Sequence, residues 1–195
     1  MKTASLRNFV LIAMFTALIW LMGLTPLGMI PLGFIHVTIL CVPVLVGTLL
    51  LGRKSGLILG LMFGAVSLYT AITRPSTLVG TLMAASPAAV VAMSMIPRLC
   101  VPLTALATEG LLRRHGEKRA AAAAAAVGSL TNTVLYLGMM LLFYVVLGLD
   151  QSGVFKLIGG VALIAGSLEA AAAALLTVPI LYALRRLNGA RRKSA

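Results

Sequence analysis

The sequence predicts an all-α integral membrane protein, a six-transmembrane-helix bundle that forms a single domain over residues 1–195. Of its 195 residues, 61% are hydrophobic and only 10% are charged. A soluble domain of this length could not bury so much apolar surface, whereas positions that face lipid should be apolar. Several uncharged stretches are long enough to cross about 30 Å of hydrocarbon. They lack the alternation of polar and apolar residues that is typical of β-barrel strands, so we expect helices.

Six apolar segments are predicted to span the membrane, at about 8–24, 34–51, 55–73, 86–112, 120–147 and 157–184. Residues 75–112 are the ambiguous part, because Arg98 and Glu109 are their only charged residues. A single helix over this stretch would measure roughly 57 Å, which is too long for one span. Two short spans would fit the stretch, and so would a loop followed by one helix.

The distribution of basic residues decides between these two possibilities. With six spans and both termini in the cytoplasm, all but three of the 16 basic residues lie on the cytoplasmic side, as the positive-inside rule expects. The exceptions are Arg74 and Lys156 outside and Arg98 within the membrane. Two spans in 75–112 would move the basic clusters that follow to the outside. We therefore expect an outer connection at 74–85, one helix from about Ser86, and a multi-pass protein of the plasma membrane.

Composition also excludes several classes of function. The net charge of +12 does not indicate nucleic-acid binding, because the basic residues form short clusters between apolar runs, where anionic lipid headgroups are the expected partners. The chain has only four acidic residues and two histidines, with no HExxH motif, Ser/His/Asp set or phosphate-binding loop. Cys41 and Cys100 lie in apolar segments, as small buried residues do. We expect no catalysis, metal or cofactor.

Polar side chains within the spans mark a candidate binding site. Arg98 in segment four and Glu169 in segment six each lie roughly 18 Å below the outer end of their segment, so they share a depth. A charge at that depth is costly and usually faces a cavity or a partner. Asn132, in the middle of segment five, also needs partners. Two interpretations remain: an internal strut in which Arg98 packs on Glu169 without a cavity, or a polar pocket that holds a solute.

Three further side chains lie toward the same outer half of the membrane. Tyr136, one turn above Asn132, and Tyr69, near the outer end of segment three, would add aromatic walls and hydroxyl groups to the pocket. His36 begins segment two on the outer side, where it is either an interfacial residue or a further contact in the site. We expect the site to open to the outside.

Small residues predict close helix contacts. Gly52, Gly56, Gly60 and Gly64 recur every four residues and therefore share one face of segment three. Such a face lets two backbones approach closely, either inside the bundle or against another membrane protein. Ala13 and Ala17 form a similar step on segment one.

Several motifs together indicate a known family. They are 33–39 (GFIHVTI) with Val42-Pro43-Val44 and Gly47, 52–56 (GRKSG), Phe63-Gly64 with Ser67, Pro97-Arg98, Thr131-Asn132-Thr133, and Glu169-Ala170. In these motifs, in length and in orientation the chain resembles the substrate-binding S components of energy-coupling factor (ECF) vitamin transporters, and among them the pantothenate-type members. It departs from them in segment two, where Cys41-Val42-Pro43 stands in place of His-Ile-Pro.

The resemblance implies a division of labour. An S component binds a small-molecule vitamin from the outside and docks on a membrane coupling subunit driven by two cytoplasmic ATPases. By motif, Arg98, Asn132 and Tyr69 would contact the substrate, and a buried cation suits the carboxylate of pantothenate. Residues 23–33 would cover the pocket.

The resemblance also implies a docking motif, AxxxA, which Ala13 and Ala17 match. The choice of vitamin stays open, with riboflavin, folate and a queuosine precursor as alternatives to pantothenate. The alternative from another class is a structural or assembly membrane protein without a transport role.

Overall fold

The computed structural model describes residues 2–25, 28–32 and 35–193, which form a helical bundle with one short β-hairpin. The elements are α1 (Lys2–Leu24), β1 (Met29–Leu32), β2 (Ile35–Thr38), α2 (Cys41–Leu51), α3 (Arg53–Thr73), α4 (Thr77–Ala85), α5 (Pro87–Leu112), α6 (Glu117–Val146), α7 (Ser152–Leu157) and α8 (Leu163–Lys193). A 3₁₀ turn, Arg113–His115, precedes α6, and a π-helical segment, Ile158–Ala162, joins α7 to α8.

Several helices of the bundle have the length and apolar character of membrane spans. Within the described residues, five helical stretches are long and apolar enough to cross one: Leu6–Leu24, Arg53–Thr73, Pro87–His115, Glu117–Val146 and Ile164–Leu187. Many of their large apolar side chains are exposed, as lipid-facing positions should be. The chain is therefore a membrane protein with several apolar helices.

Helix α2 forms the centre of the bundle. Every residue from Cys41 to Leu49 is buried, and α2 packs against α1, α3, α5, α6 and α8. With 11 residues it measures roughly 16 Å, about half of the hydrocarbon thickness. Helix α2 is thus shorter than a membrane span, and the hairpin precedes it.

The structure differs from the predicted helix over 34–51, because its first part is a strand. Strand β2 pairs antiparallel with β1, with Ile35 opposite Leu32 and Thr38 opposite Met29, and the helix begins only at Cys41. Beta-branched residues dominate 35–39, and such residues favour a pleated conformation. Hydropathy and length do not separate a short apolar strand plus a short helix from one longer helix.

The contacts define two ends of the bundle, which we name the basic end and the hairpin end. At the basic end, Arg185 of α8 forms an ion pair with Glu109 of α5 at 2.8 Å and donates a hydrogen bond to the carbonyl of Leu49 at 3.0 Å. The basic residues of the α2–α3 and α5–α6 junctions, 53–54 and 113–119, belong to this end. The hairpin end carries the β-hairpin, α4 and α7.

Residues 74–85, predicted as an outer connection, contain α4. The Ser76 hydroxyl caps α4 by accepting from the amide of Val79, and Ser86 with Pro87 begins α5 in the same way. The hydroxyl of Tyr144 on α6 donates to the carbonyl of Leu78 at 2.6 Å. Helix α4 is thus a fixed wall of the hairpin end.

Asp150 lies in the turn between α6 and α7. The side-chain hydroxyl and the amide N–H of Ser152 donate to its carboxylate at 2.7 and 3.0 Å, which lowers the pKa of the Asp150 carboxyl. This carboxyl is fully exposed, so the turn presents a negative charge at the hairpin end.

The glycine face of α3 packs inside the bundle. A Cβ atom on Gly60 would lie 2.7 Å from the carbonyl oxygen of Arg98, and one on Gly64 would lie 2.7 Å from the sulfur of Met95. The two glycines therefore let the backbones of α3 and α5 meet. Gly52 serves a different purpose, because it joins α2 to α3 with a φ of 87°, which favours glycine.

Candidate functional site

A cavity of about 410 Å³ lies between the helices, toward the hairpin end of the bundle. Its lining comes from all eight α-helices, α1 to α8, and from the base of the hairpin. The polar side chains that line it are Ser67, Thr70, Arg74, Ser76, Arg98, Asn132, Thr133, Tyr136 and Glu169. Arg74 and Ser76 are exposed, so the cavity opens at the hairpin end. Its volume lies in the range of small-molecule sites.

Arg98 is the most constrained polar side chain in the cavity wall. It is only 8% exposed, and its Nη1 donates to the carbonyl oxygen of Met93 at 3.0 Å. The guanidinium carbon lies 4.6 Å from the ring centre of Tyr136 and 5.4 Å from that of Phe63, within cation–π range. Its Nε has no hydrogen-bond partner among the described residues. A guanidinium has five N–H donors, so further donors remain for a bound solute.

Glu169 and Asn132 line the same cavity from α8 and α6. The hydroxyl of Thr133 donates to the Glu169 carboxylate at 3.2 Å. The side-chain oxygen of Asn132 is buried and has no hydrogen-bond partner in the part of the chain that the structure describes. Buried polar atoms are costly without a partner, so this oxygen is suited to accept a hydrogen bond from a solute.

The strut hypothesis predicted that Arg98 would pack against Glu169 without a cavity. A cavity is present, and both residues line it together with Asn132 and Tyr136. Four of the predicted site residues therefore share one cavity, Arg98, Asn132, Tyr136 and Glu169.

Tyr69 lies outside the cavity, contrary to the prediction from motif and depth. Its side chain is 48% exposed, and its ring lies 6.2 Å from that of Trp20 on α1. The residues of α3 that line the cavity follow the 3.6-residue period: Phe63, Val66, Ser67, Thr70 and Ala71. Arg74, just after the end of α3, also lines it. Tyr69 is roughly 120° around the helix from this face. Position along the helix therefore did not give the direction of the Tyr69 side chain.

His36 does not begin a helix, because it lies on strand β2 opposite Pro31. Its side chain lies outside what the structure describes. Of the predicted cover over 23–33, Gly23 and Gly28 line the cavity, and the amide of Ile39 donates to the carbonyl of Gly28 at the base of the hairpin. Residues 26–27 and 33–34 lie outside the described residues.

Sequence reasoning did not single out several residues of the wall. Thr70 carries a hydroxyl group in an apolar helix, where threonine commonly donates to its own backbone. Thr133 was named only as part of the Thr131-Asn132-Thr133 motif and not as a site residue. Arg74 was read only as an outer loop charge. The signal that would have found Thr70 is its helical phase relative to Phe63, whereas Arg74 lies just after the end of α3.

The predicted docking residues Ala13 and Ala17 lie on an uncovered face of α1. Both are exposed, and so are their neighbours Phe9 at 69% and Met14 at 62%. Helix α1 packs against α2 and α3 with its other face. The described part of the chain thus leaves an apolar face of α1 open to lipid or to a partner.

The family is shown by comparison with known proteins. The family model "ECF transporter, substrate-specific component" matches residues 7–181 of the chain. The chain belongs to this family. S components are the substrate-binding subunits of ECF transporters, work with a membrane coupling module and ATPases, and bind small substrates; they are not an enzyme family. No curated protein matches this S component.

Proposed function

We propose that this S component captures a vitamin from outside the cell, with pantothenate favoured, for ATP-driven uptake by a coupling subunit and two cytoplasmic ATPases. The observation that carries the proposal is the buried Arg98 guanidinium in the wall of a cavity that opens at the hairpin end. A desolvated cation with spare donors suits a carboxylate, because charge-assisted hydrogen bonds are about twice as strong as neutral ones.

The rest of the wall suits the neutral part of such a solute. Asn132, Thr70 and Ser67 can exchange hydrogen bonds with amide and hydroxyl groups, while Phe63 and Val66 contact its carbon atoms. Pantothenate carries one carboxylate, an amide and two hydroxyls on a short aliphatic chain. Its carboxylate therefore suits Arg98, and its amide and hydroxyl groups suit the neutral polar residues of the wall.

Glu169 supports a second group of candidates. A carboxylate in the wall favours a solute that also carries a cationic or N–H donor group. The pterin ring of folate and the amine of a queuosine precursor have such donors, and riboflavin offers a ring N–H. These vitamins are the alternatives that a binding experiment should include.

The test is to identify what the protein binds. Native mass spectrometry of protein gently extracted from its own cells should show a co-purifying vitamin. Calorimetry on emptied protein should then give a submicromolar Kd for pantothenate or for one of the three alternatives. Binding of an alternative alone would overturn the choice of pantothenate, and no submicromolar binding to any of the four would overturn the vitamin proposal.

We further propose that the chain crosses the plasma membrane six times, with α2 and the hairpin making one crossing together and both termini in the cytoplasm. The concentration of basic residues at one end supports this orientation. With Cys41 and Cys100 replaced by Ala, an impermeant maleimide should label Gln151→Cys on intact cells and should not label Arg114→Cys. The opposite labelling would reverse the orientation.

A further inference from the structure

Pro97 lies next to Arg98 in α5 and leaves the carbonyl of Met93 without its usual helical donor. In an α-helix the carbonyl of Met93 would accept the amide N–H of residue 97, four positions later. Residue 97 is a proline inside α5, and proline has no N–H to donate. The Met93 carbonyl is thereby left available, and Nη1 of Arg98 donates to it at 3.0 Å.

This arrangement constrains the guanidinium on several sides. The Met93 carbonyl holds Nη1, and the rings of Tyr136 and Phe63 lie 4.6 and 5.4 Å from the guanidinium carbon. Gly60 lets the α3 backbone meet the carbonyl of Arg98 itself, so the backbone that carries the side chain is also packed. These contacts restrict the positions that the guanidinium can take.

We propose that Pro97 is a positioning residue for the binding site: by withholding an N–H from Met93, it holds the guanidinium of Arg98 ready for the anionic group of the solute. The inference rests on the proposed function, in which Arg98 meets a carboxylate. A side chain that is fixed before binding loses less conformational freedom when the solute arrives, so the affinity is higher. Pro97 itself need not touch the solute.

The first test compares an anionic probe with its neutral analogue. The probes are pantothenate and panthenol, in which an alcohol replaces the carboxylate. In Pro97→Ala the new amide N–H competes for the Met93 carbonyl and releases the guanidinium. The Kd for pantothenate should rise by about 3- to 10-fold, while the Kd for panthenol stays the same. A purely structural effect of the substitution would weaken both probes alike and would overturn the proposal.

Pro179→Ala is the matched control, because Pro179 also lies inside a helix but is exposed on α8, away from the cavity. It should leave both Kd values unchanged. A double-mutant cycle adds the decisive comparison: in an Arg98→Met background, Pro97→Ala should have no further effect on the Kd for pantothenate. An additive effect would mean that Pro97 does not act through Arg98.

A second measurement needs no ligand. In protein labelled with ¹⁵N-arginine, the signal of Arg98 is the one that Arg98→Met removes. Slow rotation about its Nε–Cζ bond should give resolved Nη1 and Nη2 signals in the wild type, and these should average in Pro97→Ala. Unchanged signals would overturn the inference even if pantothenate is not bound. Wild-type protein that binds none of the vitamins would overturn the proposed function instead, so the two failures are distinguishable.

Discussion

At the scale of single residues, Arg98 shows how the bundle accommodates a cation in the membrane. An arginine near the centre of a transmembrane helix costs about 2.5–3.5 kcal/mol on insertion scales. Here a backbone carbonyl and two aromatic rings surround the guanidinium, and other donors remain for a solute. The cost is offset in part by these contacts, and a bound carboxylate would offset more of it.

Replacing this cation should therefore remove affinity without removing the fold. In Arg98→Met the apolar volume is kept and the charge is lost, so the Kd for pantothenate should rise by about 10- to 100-fold, the worth of a hydrogen bond to a charged group. Calorimetry measures the change, and the thermal midpoint in detergent checks the fold. An unaltered Kd would remove Arg98 from the site.

Tyr69→Leu is the control for this variant. Tyr69 lies outside the cavity against Trp20, so the Kd should stay within about twofold of the wild type. A loss of affinity as large as that of Arg98→Met would show that Tyr69 contacts the solute after all, as the family motif implied.

Four residues of the cavity wall could be singled out from the sequence for one physical reason. Arg98, Asn132, Glu169 and Tyr136 are polar or amphipathic groups in apolar segments, and such groups need partners within the bundle. The same reasoning also selected Tyr69, which does not line the cavity. Counting residues gives the position along a helix, whereas the direction of a side chain depends on which neighbour the helix packs against.

At the scale of elements, the contact between α3 and α5 positions the part of the cavity wall that carries Arg98. Gly60 on α3 meets the Arg98 carbonyl on α5, and the ring of Pro102 lies 3.3 Å from where a Cβ on Gly60 would be. The two helices therefore have no room for a larger residue at this contact.

Gly60→Ala should force α3 and α5 apart and lower the stability by about 1–3 kcal/mol, the usual cost of overpacking. The control is Gly110→Ala on α5, where an added Cβ meets nothing within 4 Å. It should leave the stability unchanged or raise it by up to about 1 kcal/mol, since alanine is the better helix former. Thermal unfolding in detergent measures both, and equal midpoints for the two variants would contradict the close approach.

The basic end is tied together by one side chain from α8. Arg185 joins Glu109 of α5 to the C-terminal carbonyls of α2 through Leu49, and both charged side chains are largely buried, at 25% and 13% exposure. Basic side chains near a helix C-terminus satisfy carbonyls that the helix itself leaves free. This contact holds the C-terminal end of α2 at the basic end of the bundle.

Arg185→Met should lower the stability by about 1–3 kcal/mol, because it leaves the Glu109 carboxylate without this cation. The neighbouring Arg186 is exposed, so Arg186→Met should change the stability by less than about 0.5 kcal/mol. In the double variant Arg185→Met/Glu109→Leu, part of the loss should be recovered, since no charge is left buried without this partner. Unfolding curves without that recovery would argue against the pair.

At the scale of the whole molecule, α1 is the least enclosed of the five membrane-span helices that the structure describes. Only 11% of the span Leu6–Leu24 is buried, against 50% of Pro87–His115. The face that carries Ala13 and Ala17 is where we propose that the coupling subunit docks, because small residues let another helix approach closely.

Ala13→Trp or Ala17→Trp should therefore block uptake while leaving binding intact. A bulky ring in a close helix contact should weaken docking by about 10- to 100-fold, and the cavity lies elsewhere. Transport is measured as uptake of labelled vitamin in cells that express the coupling subunit and both ATPases. Binding is measured by calorimetry. The control is Val134→Trp on α6, another exposed position at 65%. Normal uptake by both alanine variants would exclude docking through this face.

The sequence by itself determined that the chain lies in a membrane as apolar helices, that 74–85 precedes a single helix from about Ser86, and which polar residues of the apolar segments need partners within the bundle. These follow from composition, length and charge, which act locally along the chain. Only the tertiary structure decided that 35–38 is a strand, that α2 is short and central, and that Arg98 rather than Tyr69 faces the cavity. Each of these depends on contacts between distant segments: the pairing of β1 with β2, the packing of five helices around α2, and the rotation of α3 against α5.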